Sequence, residues 1–133
     1  MNLKHSLAEF SRAKKALRAA QVLLASSLFE DAISLSYYAV MHAAKAALLA
    51  HDTVAESHRT VRRFFNKILV CSGFIEREWS SILARVQDQS IVAEYNVLVS
   101  WEQEDSQHLV EDAQAFVQRV RGYLTGIGID PER

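Results

Sequence analysis

Ser36-Tyr37-Tyr38-Ala39-Val40-Met41-His42-Ala43-Ala44-Lys45-Ala46 is the stretch on which the fold turns. It holds neither glycine nor proline, and alanine, the best helix former, occurs four times. The same character extends from about Glu30 to Ala50, with Glu30 and Asp31 suited to the positive end of a helix dipole. Ala32, Ala39, Ala43, Ala46, Ala47 and Ala50 make this helix slim, so a neighbour can approach toward the short end of the usual ~8–10 Å axis spacing. Tyr38 and His42, four apart, share one face with Leu35 and Ser34 nearby, while Tyr37 turns aside.

Moving toward the N-terminus, Leu3, Leu7, Phe10, Ala13, Leu17, Ala20 and Leu24 recur at three- and four-residue spacing. That predicts a helix ending near Ser26-Ser27, with Arg12, Lys14, Lys15 and Arg18 on its other faces. On the other side, His51–Ala55 reads as a connection and Ser57 as the N-cap of a third helix, which turns Val61, Phe64, Phe65, Ile68 and Leu69 inward. Gly73 stops it. A shorter helix is expected over about 75–86, an irregular segment over 87–100, and a long last helix from near Glu102. Leu109, Ala113, Phe116, Val117, Val120 and Leu124 form the stripe of that last helix. Gly73, Gly122, Gly126, Gly128 and Pro131 are the only punctuators, and four of these five fall in the last dozen residues. The expectation is an all-α, up-and-down antiparallel four-helix bundle with an additional short helix, covering residues 1–125, followed by a flexible tail over 126–133.

At 133 residues the chain can bury one core. No apolar run approaches the ~20 residues of a membrane span, and the N-terminus lacks the apolar stretch of a signal peptide. No membrane association is expected. A single cysteine, Cys71, fits a reducing cytoplasm and reads as a buried small hydrophobe beside Leu69 and Val70. Net charge is −1, but it is unevenly distributed. Residues 1–67 carry ten Lys/Arg against five Asp/Glu, whereas residues 68–133 carry five against eleven. Such a dipole can meet an anionic ligand, the other half of the chain, or a second copy.

Several chemistries fail on their own requirements. Gly126-Ile127-Gly128 follows a helix near the chain end and reads as a terminator rather than a dinucleotide loop. A carboxylate-bridged metal pair needs Glu-x-x-His on two helices, whereas Asp105-x-x-His108 stands alone; no metal or cofactor is expected, and His108 reads as a surface residue. Ser36 and His42 are six apart, on different helical faces, so they make no nucleophile and base. The Tyr38–His42 pair could stack a base and contact phosphate, or line a helix interface for packing alone. His58, Arg59, Arg62, Arg63 and Lys67 form a basic stripe whose first members open a helix, where an anion is favoured. An ordinary solvated face, or pairing with Glu102, Glu104 and Asp105, would explain the stripe equally well.

At these residues the chain resembles the HEPN domain family (higher-eukaryote and prokaryote nucleotide-binding), in its small stand-alone prokaryotic branch. The resemblance runs through Tyr37–Leu49, Ser57-His58-Arg59, Arg63-Phe64-Phe65-Asn66, Gly73-Phe74-Ile75, Ala93-Glu94-Tyr95 and the terminal helix. It implies a helix bundle, commonly a homodimer, often encoded beside a minimal nucleotidyltransferase in toxin–antitoxin-like pairs. Ribonuclease members carry an arginine followed four to six residues later by a histidine, and no histidine here has an arginine at that distance. The branch's arginine five residues before the tyrosine of Ala-Asp-Tyr is Ser90 here, and its aspartate is Glu94; Arg85 could substitute.

The expected function is thus a dimeric, non-catalytic module that binds a nucleotide or RNA phosphate and a protein partner. Arg59 and Arg62 would hold phosphate, with His58 beside them. Tyr38 and His42 would stack or hydrogen-bond, and Glu94 would orient a basic neighbour. The competing readings are a divergent, metal-independent ribonuclease toxin built on His42 and His58, and a purely structural dimerisation subunit.

Overall fold

The computed structural model describes residues 2–132. Helix α1 (Leu3–Ala25) and helix α2 (Phe29–Leu49) form a hairpin across a three-residue turn. Ser27 closes that turn from the left-handed region, at φ 62°, and Leu28 N–H donates to Leu23 O at 2.9 Å. Helix α3 (His58–Phe64) continues into a π-helical turn, Phe65–Val70. Helices α4 (Arg77–Tyr95) and α5 (Gln103–Gly126) complete the bundle, and no strand occurs among the described residues.

Helix α2 is the axis of the molecule and packs against every other helix. Its alanines are the cause: Ala39, Ala43, Ala44, Ala46 and Ala47 are all wholly buried, so neighbouring backbones come close. Two serines use that proximity. Ser6 Oγ donates to Ala46 O at 2.8 Å, and Ser106 Oγ donates to Phe29 O at 3.1 Å. Larger groups from the outer helices fill the remaining space, with the Phe65 and Phe116 rings 5.4 Å apart and Trp79 edge-on to Phe116.

The all-α bundle agrees with the sequence reading, but two elements exchange roles. Helix α4 does not end near Val86. It runs to Tyr95, because Gln87, Ser90 and Ala93 continue the buried stripe of Leu83 and Val86. Two polar residues on that stripe hide its periodicity. The short member is instead α3, seven residues long before the π turn. There Cys71 N–H reaches Asn66 O at 2.8 Å, five residues back. The widened turn offsets the drift of an α-helix, so Val61, Phe65 and Leu69, each four apart, are all wholly buried. Gly73 then stops the segment at φ 82°, with Phe74 N–H donating to Leu69 O.

Cys71 is exposed rather than buried, since it caps the π turn on the solvent side. Glu102 and Asp105 form a reciprocal capping box on α5 and are used there, rather than in pairing with the basic stripe. In the segment expected as a flexible tail, Ile129 is buried. Lys14 Nζ donates to Pro131 O at 3.0 Å, and Arg133 lies outside the described residues.

Candidate functional site

Ser57 Oγ accepts the Thr60 N–H at 3.1 Å, which fixes the start of α3 and puts His58, Arg59 and Arg62 on one side of it. These three, with Arg63, line an open depression of about 770 Å³ whose far wall is Ser80, Ala84 and Gln87 of α4. Arg62 bridges the two walls: its Nη1 donates to Gln87 Oε1 at 2.9 Å and to Asp88 Oδ1 at 3.2 Å. Arg59 is exposed and makes no ion pair among the described residues. Arg63 lies over the Phe64 ring at 5.7 Å. The depression therefore carries cationic charge that the protein itself only partly neutralises.

His58 is held from behind. Its Nδ1 is hydrogen-bonded to the hydroxyl of Tyr37, which is buried and also reaches Met41 Sδ. The sequence reading set Tyr37 aside in favour of Tyr38, yet Tyr37 is the tyrosine that touches the basic helix. Adjacent residues on a helix diverge by about 100°, and only the position of α3 shows which of the two faces it.

Tyr38 and His42 do share a face, as their spacing requires, but that face looks toward α1. They line a second depression, of about 390 Å³, with Arg12, Lys15, Ala16, Ala19 and Leu35. The Tyr38 ring is half exposed and stands 5.8 Å from that of Tyr37. His42 Nδ1 is 2.5 Å from Glu9 Oε2, and Lys45 Nζ lies 3.8 Å from the same carboxylate. Glu9 escaped the sequence reading because it belongs to another helix, 33 residues away. Neither depression is lined by members of both sets. In one chain His42 and His58 thus hold different partners and line different depressions.

Glu94 belongs to neither depression. It is exposed near the end of α4 and forms no ion pair among the described residues, so no basic neighbour is oriented by it. Arg85 does not take the place vacated at Ser90; it binds Asp112 of α5 through Nη2 at 2.9 Å, and Ser90 is itself buried. Around Glu94 the surface is apolar, with Tyr95, Val97 and Leu98 79%, 89% and 92% exposed.

The strongest electrostatic perturbation lies outside both depressions. Arg119 clamps Glu76 through Nε at 2.8 Å and Nη2 at 3.1 Å. That hydrogen-bonded guanidinium, aided by Trp79 Nε1–H, lowers the Glu76 pKa from 4.5 to about 2. Burial pushes the Tyr123 hydroxyl up from its ordinary 10.0. Glu76 thereby ties α5 to the chain leaving the π turn, while the Tyr123 hydroxyl is hydrogen-bonded to His51 Nε2 just after α2. No group of three or more His, Cys, Asp or Glu among the described residues is placed to hold a metal ion, and no described helix is long and apolar enough to cross a membrane.

Fold and surface together define an all-helical module with a slim central helix and a cationic depression between its short third helix and the fourth. The HEPN domain family model matches residues 8–123. The chain belongs to the HEPN domain family. Among its relatives, a protein of Methanocaldococcus jannaschii whose name marks it as a candidate toxin is 30% identical over 115 residues, 86% of this chain and 85% of that one. A UPF0332 protein of Gloeobacter violaceus is 31% identical over 85% of this chain and 90% of its own length. A UPF0332 protein of Thermotoga maritima is 27% identical over 90% and 92%.

Proposed function

We propose that this HEPN protein binds the phosphate of a nucleotide or RNA in the depression between α3 and α4, and acts as the dimeric, non-catalytic subunit of a toxin–antitoxin-like pair with a minimal nucleotidyltransferase. The observation that carries the phosphate reading is the convergence of Arg59, Arg62 and Arg63 with His58 on one concave surface, where, among the described residues, only Arg62 is matched by a carboxylate. Phosphate there would exchange solvent-screened repulsion between guanidiniums for charge-assisted hydrogen bonds. The toxin-like names of two relatives support the pair. The exposed apolar surface at Tyr95, Val97 and Leu98 supports a second copy of the chain, and it equally favours a purely structural dimerisation subunit.

Titration with ATP and with oligouridylate at low salt separates these readings. The phosphate reading expects binding that weakens as salt rises, because displaced counterions dominate its free energy. Arg59→Ala, which removes an exposed side chain engaged with no carboxylate, is expected to lower affinity roughly fivefold or more and to reduce the salt slope by about one phosphate contact. Its melting temperature should be that of the parent protein. No binding at low salt leaves the structural subunit as the function, and binding indifferent to Arg59→Ala removes the α3–α4 depression as its site.

A further inference from the structure

The Tyr38–His42 depression is one part of a longer feature. It shares Lys15, Ala19 and Leu35 with a neighbouring depression of about 510 Å³ that continues to Val22 and Leu23. Together they form a groove along the seam of α1 and α2. From Arg12 to Val22 it follows ten residues of helix, about 15 Å. The floor is apolar: Ala16 and Ala19 keep it low, Leu35 walls it, and Val22 is 58% exposed at its end. Along one rim stand Arg12, Lys15 and Arg18, each three residues from the next and each exposed. None of the three is in an ion pair among the described residues, so the rim carries three unneutralised positive charges.

We infer that this groove docks an acidic amphipathic helix of a partner protein, apolar side chains down and carboxylates toward the α1 rim. Its length matches about three turns of helix, enough for apolar anchors at i, i+3 or i+4, and i+7. The rim spacing of three residues suits carboxylates presented at helical intervals. A nucleic acid is the poorer fit, because most of the floor offers apolar carbon where base edges need hydrogen-bonding groups, and the two rings that could stack, Tyr38 and His42, both lie toward the Arg12 end. The inference takes up the protein-partner half of the proposed function. It shares no lining residue with the Arg59 depression, so either reading can fail alone.

The test uses the full chain and a fluorescein-labelled helical peptide of about 18 residues, with leucines on one face and glutamates beside them. Anisotropy at low salt is expected to show binding that falls roughly tenfold for a scrambled peptide, and equally for one with lysine in place of glutamate. Lys15→Glu with Arg18→Glu should lose the wild-type peptide, Lys15→Arg with Arg18→Lys should retain it, and Val22→Asp should weaken it. All these positions are exposed, so the fold is not at stake, and circular dichroism checks that. Arg59→Ala should bind peptide normally, which separates this surface from the phosphate reading. Equal binding of the scrambled peptide overturns the inference. So does displacement of the peptide by oligouridylate, which would assign the groove to RNA, or loss of a sedimenting dimer in the Lys15→Glu, Arg18→Glu variant, which would assign it to a second copy.

Discussion

Tyr37 and Tyr38 are neighbours with opposite fates, one buried against His58 and the other half exposed over α1. The pattern of the chain could group Tyr38 with His42 and Arg59 with Arg62, because those relations are local to one helix. It could not join the two groups, or exclude joining them, since that depends on where α3 crosses α2. The same limit hid Glu9, and it hid the carboxylate with the largest shift, Glu76, whose partner Arg119 is 43 residues away. Glu76 has a defined consequence. Its folded pKa lies below its unfolded value, so the contribution to stability is complete above about pH 4.5 and is lost as pH falls toward 2. The carboxylate is more than half exposed, so water screens the pair and the effect is modest. Glu76→Gln is expected to be slightly less stable than the parent at neutral pH and to converge with it between pH 4.5 and 2. Urea unfolding across that range measures the difference, and parallel curves at every pH would mean that Glu76 and Arg119 are not coupled in solution.

At the scale of elements, helix identity was legible wherever apolar residues kept a strict helical interval, as in α1, α2 and α5. It was lost where the buried stripe turned polar. Gln87 and Ser90 are both under 10% exposed on α4, and Gln87 is there to receive Arg62 rather than to fill the core. A buried amide looks like a solvent residue until its partner is known. The π turn was equally invisible, since nothing in Phe65–Val70 forbids an ordinary α-helix; the wider turn is selected by the need to keep Phe65 and Leu69 on one face. Alanine spacing, by contrast, was an accurate guide to the close approach around α2, and it leads to a direct test. Ala43 is wholly buried in α2, so the isopropyl group that leucine adds must be fitted into packed surroundings. Ala43→Leu is expected to cost about 1–3 kcal/mol through overpacking. Ala115→Leu, on the exposed side of α5, should be close to neutral. Denaturant midpoints for the pair measure the difference, and equal midpoints would show that the α2 seams have slack.

Over the whole molecule, the halves of the chain are opposite in charge, and the folded protein joins them at a few points only. Arg62 with Asp88 and Lys14 with Glu132 each link the basic half to the acidic half, while Arg12, Lys15, Arg18 and Arg59 are in no ion pair among the described residues. The second of these links belongs to the chain end. Composition alone, with Gly126, Gly128 and Pro131 so close together, points to a tail free of the bundle. The folded chain makes contacts that such a tail would lack. Ile129 is 2% exposed and its N–H donates to Leu124 O at 2.9 Å. Pro131 O accepts from Lys14, and Glu132 faces Arg121 at 3.1 Å. The surface ion pairs contribute little, so the weight rests on Ile129, whose side chain belongs to the buried core. Truncation after Gly128 is expected to destabilise the protein by about 2 kcal/mol or more, and Ile129→Ala by most of that amount, as for other buried isoleucines. Removing only the ion pairs to Lys14 and Arg121, with Glu132→Gln, should shift stability by less than about 0.5 kcal/mol. Thermal unfolding of the three variants decides the matter: a fall of several degrees in the first two and almost none in the third places the tail in the core, whereas an unchanged midpoint on truncation makes it a free end.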